Sequence, residues 1–246
     1  MFGLQRWQVE NTVKLIDEGN TIPFIARYRK EAHGTLDDQV LRELSEKLEY
    51  LRNLDKRREE ISASITVQEK MTPEIEAALE KASTLAEIED IYRPFRPKRR
   101  TRASIAKEKG LEPLADAIFA QTADSASPAE LAADYIDAEN GVETAEDAIN
   151  GAMDIIAENI SDDADIRRRL RSLFTVAGVL QSRAADSEKE SVYTMYYEYD
   201  EPVNKIAGHR VLAVNRGENE GFLKVGIDVD RIKALNIINA NVLSDN

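Results

Sequence analysis

Apolar residues recur three and four apart along most of this chain, the period of helices with one buried face. Trp7, Val9, Val13, Leu15 and Ile16 mark the first such face, and Gly19-Asn20 supplies a left-handed exit. In residues 21–34, TIPFIARYRKEAHG, Pro23 suits the first turn of a short helix. That helix carries Phe24, Ile25 and Tyr28 on one side and Arg27, Arg29 and Lys30 around it, and Gly34 closes it. Thr35, with Asp38 three residues on, is the expected cap of a long helix or kinked pair through Leu36, Val40, Leu41, Leu44, Leu48, Leu51, Leu54, Ile61 and Ile65.

Further caps punctuate the chain. Thr72-Pro73 starts a helix, and Thr84 with Glu87 forms a capping box before Ile88 and Ile91. Residues 103–109 read as a short helix, Gly110 as a break and Pro113 as a new start. Ser127-Pro128-Ala129-Glu130 is another capping box. Thr144 caps a helix through Ile149, Met153 and Ile156, and Ser161 one through Ile166, Leu170, Leu173, Val176 and Leu180, so that helix follows helix to about Arg183. Beyond Glu190 the pattern changes. A tyrosine-rich segment leads to Pro202, and residues 210–215 and 222–229 flank a Gly217–Gly221 turn as an expected hairpin. A lone hairpin is marginal in water, so the chain reads as the front portion of something longer. The predicted fold is mainly α: a multi-helix region over residues 1–200, then a short β-hairpin-containing segment at 201–246 that begins a mixed α/β region.

Composition narrows this picture. With 11 Gly, 7 Pro and 6% aromatics in 246 residues, few tight turns are encoded, which argues against a β-sandwich or barrel. The absence of cysteine excludes disulfides and thiolate zinc sites and fits a reducing, cytoplasmic setting. No apolar run approaches the roughly 20 residues of a membrane span, so no membrane partner is expected.

Charge is distributed unevenly. The chain carries a net charge of -13, yet residues 91–109 hold eight cations (Arg93, Arg96, Lys98, Arg99, Arg100, Arg102, Lys107 and Lys109) and a single anion, Glu108. Pro94 and Pro97 bias Arg93 and Arg96 toward extended backbone, so this island is expected to begin as a stiff strut. Tyr92 and Phe95 would anchor it, with Arg99, Arg100 and Arg102 reaching solvent or acidic side chains. A planar guanidinium pairs equally with phosphate or with carboxylate, so charge alone leaves a polyanion site and an internal brace open.

Signatures of catalysis are absent: no G-x-S-x-G elbow, no phosphate-cradling glycine-lysine loop and no helical H-E-x-x-H. His33 reads as a loop residue beside a helix end, neither it nor His209 reads as a metal ligand or acid-base group, and Asp162, Asp163 and Asp165 read as acids complementing a helix dipole. Asp228 and Asp230 read as a solvated turn, and Tyr193, Tyr196, Tyr197 and Tyr199 as packing residues. The expectation is a non-enzyme that needs no cofactor and no metal.

Residues 21–38 (TIPFIARYRKEAHGTLDD), Leu48-Glu49-Tyr50-Leu51, residues 88–115 (IEDIYRPFRPKRRTRASIAKEKGLEPLA) and residues 209–221 (HRVLAVNRGENEG) together resemble the Tex family of bacterial transcription accessory proteins. His33 stands where the family string has a small or polar residue. The resemblance implies a helical N-terminal region that full members follow with RNase H-like, helix-hairpin-helix and OB-fold RNA-binding domains. It also implies a role in transcription, with nucleic acid, RNA or DNA, bound weakly through this region, and with RNA polymerase and later domains of the same protein as further partners. The candidate nucleic-acid-binding residues are Arg27, Arg29, Lys30, Arg93, Arg96, Lys98, Arg99, Arg100 and Arg102. The competing readings are a lid or substrate clamp for an RNase H-like nuclease and a protein-interaction module for polymerase.

Overall fold

The computed structural model describes residues 3–97, 99–122 and 127–243. Among them are thirteen α-helices and one three-stranded antiparallel sheet, so the chain is mainly α with a short β segment. It divides into two compact units, Met1–Tyr92 and Arg93–Asn246.

The first unit is built on one helix. α1 (Arg6–Asp17), α2 (Ile22–Tyr28) and α3 (Lys30–His33) precede α4 (Asp38–Val67), a single helix of 30 residues, and α5 (Pro73–Lys81) and α6 (Leu85–Tyr92) follow it. Leu41, Leu44, Leu54, Ile61 and Ile65 of α4 are buried, and α1, α2, α5 and α6 all pack on this helix. The cap of α4 differs from the expectation. Gly34 and Thr35 both adopt left-handed backbone, with φ of 66° and 58°, which delays the helix, and the Asp37 carboxylate accepts from Gln39 N at 2.8 Å in place of Thr35. Thr72 and Thr84 cap α5 and α6 as the sequence predicts. Arg58 donates from Nε to the Leu79 carbonyl and from Nη2 to the Ala82 carbonyl, both at 2.9 Å, and so satisfies acceptors at the end of α5 that lack a helical partner.

The second unit opens with a 3-10 turn at Arg93–Phe95, followed by α7 (Arg102–Glu108), α8 (Glu112–Phe119), α9 (Pro128–Ala132) and α10 (Ala145–Asp162). Its helical core surrounds α10, where Ala148, Ala152 and Ile155 meet Ala103, Ala106, Leu111 and Leu114. Small residues let these helices approach closely. A Cβ on Gly151 would lie 2.4 Å from Leu111 Cδ1 and 3.3 Å from the Ala106 Cβ. The capping boxes at Ser127/Glu130 and Thr144/Asp147 form. Ser161 does not act as a cap. It continues α10, and Asp163 caps α11 (Ala164–Ala177) by accepting from Ile166 N at 2.8 Å.

From this point the tertiary structure departs from the helical reading. α11 ends at Ala177, Gly178 turns extended, and β1 (Val179–Ala184) forms where the periodicity predicts a helix to Arg183. β1 lies at the centre of the sheet, antiparallel to β2 (Glu198–Pro202) on one edge and to β3 (Leu223–Asp228) on the other. The backbone groups of β1 thus find partners on both sides, which offsets the loss of one more helical turn. The expected pairing of 210–215 with 222–229 does not form either. Residues 208–219 make α12 (Gly208–Asn219), with Val214 and Gly217 buried three apart against β3, and Gly221 at φ 77° reverses the chain. α13 (Arg231–Val242), capped by Asp230 and packed on α11, is a further helix beyond the sequence expectation. Tyr193 and Tyr196 are buried with Leu180, Val214 and Leu223 in a second core, as packing residues.

Candidate nucleic-acid interface

Seven residues make α2, and its one fully buried side chain, Ile25, plants the helix on α4. Phe24, Ile25 and Tyr28 do not share a side as the sequence suggests. Phe24 and Tyr28, one turn apart, face outward with 38% and 58% of their surface exposed. Their rings are 5.3 Å apart and tilted by 46°.

Helical geometry breaks at Arg29, the residue between α2 and α3, at φ -127° and ψ 31°. Five positions along an unbroken helix would put Arg29 about 140° round from Phe24. The break instead brings its guanidinium carbon to 5.6 Å from the Phe24 ring centroid, a cation over an aromatic face.

Three polar residues hold this shape. Gln8 donates to the His33 carbonyl at 3.1 Å and Asn11 to the Ala32 carbonyl at 2.9 Å, fastening α3 to α1. His33 is fully buried. The Leu36 N–H donates to its Nδ1 at 3.0 Å, which assigns the ring proton to Nε2, and Nε2 donates to the Ile25 carbonyl at 3.2 Å. His33 is therefore a structural staple between α2 and the turn before α4, where the sequence suggests a loop residue beside a helix end.

Arg27, Arg29 and Lys30 are all exposed, and among the described residues no carboxylate lies within ion-pair distance of any of them. They belong to the first unit, whereas Arg93 to Arg102 belong to the second.

The second group is largely engaged with acids of its own unit. Arg93 donates from Nε to Asp162 Oδ1 at 2.7 Å, Arg102 lies 3.4 Å from Asp154, and Arg100 lies 3.8 Å from Glu108. The Thr101 hydroxyl, which also caps α7, lies 3.3 Å from both oxygens of Glu158. Arg96 and Arg99 are exposed, and Lys98 lies outside the described residues. Arg93, expected in an extended strut, sits in the 3-10 turn, where Pro94 is equally at home and the bond to Asp162 holds the arginine. Tyr92 and Phe95 are half-buried, and Arg99, Arg100 and Arg102 reach outward. The island thus has a braced root and an exposed tip. Its two outer pairs are weak exposed interactions of about 0–1 kcal/mol each, which a phosphate could displace.

Other polar groups have structural partners. Asp230 accepts from Ile232 N and Lys233 N at the start of α13. Glu201 accepts from Arg210 Nη1 at 2.6 Å and from the Tyr199 hydroxyl. The Tyr199 and Arg210 bonds hold the Glu201 carboxyl below the usual glutamate range, and the same carboxylate followed by burial pushes the Tyr199 phenol up. Arg183 holds Asp200 through two bonds of 2.8 and 2.9 Å. Among the described residues no group of three or more His, Asp or Glu side chains gathers to hold a metal ion.

The described residues make a mainly helical chain that presents cationic side chains from a short helix pair and from a proline-flanked segment. Residues 1–66 match the Tex-like protein N-terminal domain and residues 123–242 the Tex central region-like domain, and the chain belongs to the Tex family. It is 46% identical over 237 residues to the uncharacterized protein YdcI of Bacillus subtilis, covering 94% of this chain and 33% of that protein. It is 40% identical over 225 residues to the transcriptional accessory protein Tex of Neisseria gonorrhoeae, covering 89% and 29%. A human S1 RNA-binding domain-containing protein 1 is 31% identical over 237 residues, covering 92% and 23%. The chain thus spans a third or less of the length of these relatives. The basic island falls between the two matched domains.

Proposed function

We propose that this chain is a non-catalytic helical scaffold of a transcription accessory protein and contributes a nucleic-acid contact of its own. The observation that carries this is the freedom of Arg27, Arg29 and Lys30 from acidic partners among the described residues, in a chain of net charge -13. Three such cations on one short surface are an electrostatic footprint for phosphate that the acidic remainder keeps modest in strength. The names of the relatives, a transcriptional accessory protein and an S1 RNA-binding domain protein, support the same reading. Arg99, Arg100 and Arg102 form the secondary contact, and Arg93 belongs to the brace. Contacts with RNA polymerase, with later domains of a longer protein and a cytoplasmic setting belong to the proposal as well. No described helix is long and apolar enough to cross a membrane.

The test is binding of a fluorescein-labelled RNA strand across a salt series. Joint replacement Arg27→Ala, Arg29→Ala and Lys30→Ala should weaken binding to every sequence and flatten the log-log salt slope by about 2, because each phosphate neutralised on a single strand contributes about 0.7. Failure of the unaltered chain to bind any strand or duplex would overturn the nucleic-acid role. Incubation with magnesium or manganese should leave the RNA intact. Metal-dependent cleavage that co-purifies with the chain would favour the nuclease-clamp reading instead.

A further inference from the structure

Charge alone does not account for α2. Phosphate binding needs Arg27, Arg29 and Lys30, but it does not need two aromatic rings turned to solvent beside them. An exposed pair of this size on a seven-residue helix forgoes burial that an aromatic ring ordinarily gains. The 46° tilt between the rings prevents Phe24 and Tyr28 from covering one another. Arg29 lies against the Phe24 face, so the Tyr28 ring, with more than half its surface exposed, is the open platform. The break at Arg29 and the His33 staple fix the backbone that carries these side chains before any ligand arrives, which lowers the ordering cost of binding.

We infer that Phe24 and Tyr28, with Arg27, Arg29 and Lys30 around them, form a stacking platform for an unpaired nucleic-acid strand. A base lies on Tyr28, and the planar guanidinium of Arg29, backed by Phe24, offers a second stacking surface. Arg27 and Lys30 take the flanking phosphates. A duplex satisfies the cations but keeps its bases stacked on each other, so it cannot use the rings. This inference rests on the nucleic-acid reading above and assigns its ligand class: single strands, with little dependence on base sequence, since every base has a π face.

The experiment compares a labelled oligo-uridylate with an RNA duplex of the same length, using the full chain. Tyr28→Ala should lower the ratio of single-strand to duplex affinity at least about five-fold, the effect of losing one stacked base. Tyr28→Phe should restore that ratio, because it returns the ring without the hydroxyl. The charge variant Arg27→Ala with Lys30→Ala, which spares the Arg29 stacking surface, should weaken both ligands together and leave the ratio nearly unchanged. If Tyr28→Ala folds, keeps the wild-type ratio and the charge variant still loses binding, the platform is refuted and the electrostatic role stands. If Tyr28→Ala is unfolded by circular dichroism, the double variant Phe24→Leu with Tyr28→Leu decides the question. It retains apolar bulk without π faces and must lower the ratio for the inference to survive. Wild-type chain that binds neither ligand refutes both readings and makes α2 a protein-contact surface.

Discussion

Arg93 Nε donates to Asp162 Oδ1 across 2.7 Å, joining the first residue of the second unit to the last residue of its central helix, 69 positions away in sequence. The Asp162 side chain is only 8% exposed, while that of Arg93 is 44% exposed. Removing the cation therefore leaves a buried carboxylate short of a donor. Arg93→Ala should destabilise the chain by about 1–3 kcal/mol, read from urea unfolding, without changing nucleic-acid affinity beyond the loss of folded protein. A double-mutant cycle with Asp162→Ala should show a coupling well above that of Arg102 with Asp154, whose exposed pair should register below about 1 kcal/mol.

Arg58 bridges the Leu79 and Ala82 carbonyls with two nitrogens of one planar group. Arg58→Ala should lower stability by about 1–2 kcal/mol, and Arg58→Lys should recover less than half of that, because an ammonium cannot reproduce the fork. Thermal unfolding followed by circular dichroism distinguishes the two.

His33→Ala removes both ends of a buried hydrogen-bonded staple and leaves a cavity beside Ile25. A destabilisation of about 2–4 kcal/mol is expected. Amide exchange should show the weakened protection concentrated in residues 22–36.

Gly151→Ala sets a helix-propensity gain of about 1 kcal/mol against a methyl 2.4 Å from a buried leucine side chain. Overpacking of this kind costs about 1–3 kcal/mol, so the variant should be neutral to destabilising by about 2 kcal/mol. Pairing it with Leu111→Ala, which vacates the space, should make the glycine replacement stabilising.

Glu201 is held ionised in the fold by Tyr199 and Arg210, so its folded pKa lies below the ordinary value of 4.5. Its contribution is fully present above that ordinary range and is lost as pH falls through the lower folded value. Glu201→Gln should therefore flatten the acid limb of the stability profile below about pH 4.5 and act as a constant loss above it. Acid titration of unfolding at fixed urea concentration measures this directly.

The capping signals are legible in the sequence because cap chemistry is local. Thr72, Thr84, Ser127 and Thr144 each bond a group three residues away. Where two candidates compete, backbone conformation outside the motif decides. Left-handed geometry at Thr35 passes the cap of α4 to Asp37, and continuation of α10 passes that of α11 from Ser161 to Asp163. The cationic residues are likewise evident from composition, but their roles are not. Arg93 and Arg27 look alike in sequence, and only the fold puts a buried carboxylate beside one and, among the described residues, none beside the other.

By itself the sequence determined the mainly α class, the positions of most helix starts and the family, since these rest on local periodicity, caps and distinctive strings. Tertiary structure decided the rest. Residues 179–184 continue an apolar pattern compatible with a helix, and they became a central strand because Glu198–Pro202 and Leu223–Asp228 supply ladder partners on both edges. Residues 210–215 alternate as a strand would, but Val214 and Gly217 pack three apart against β3, which selects a helix. Phe24, Ile25 and Tyr28 read as sharing one side of a short helix, but Ile25 took the one buried position of α2 and left both rings facing outward beside three exposed cations. Each of these outcomes turns on a partner distant in the chain, and a hydrophobic pattern records the wish to be buried without recording against what.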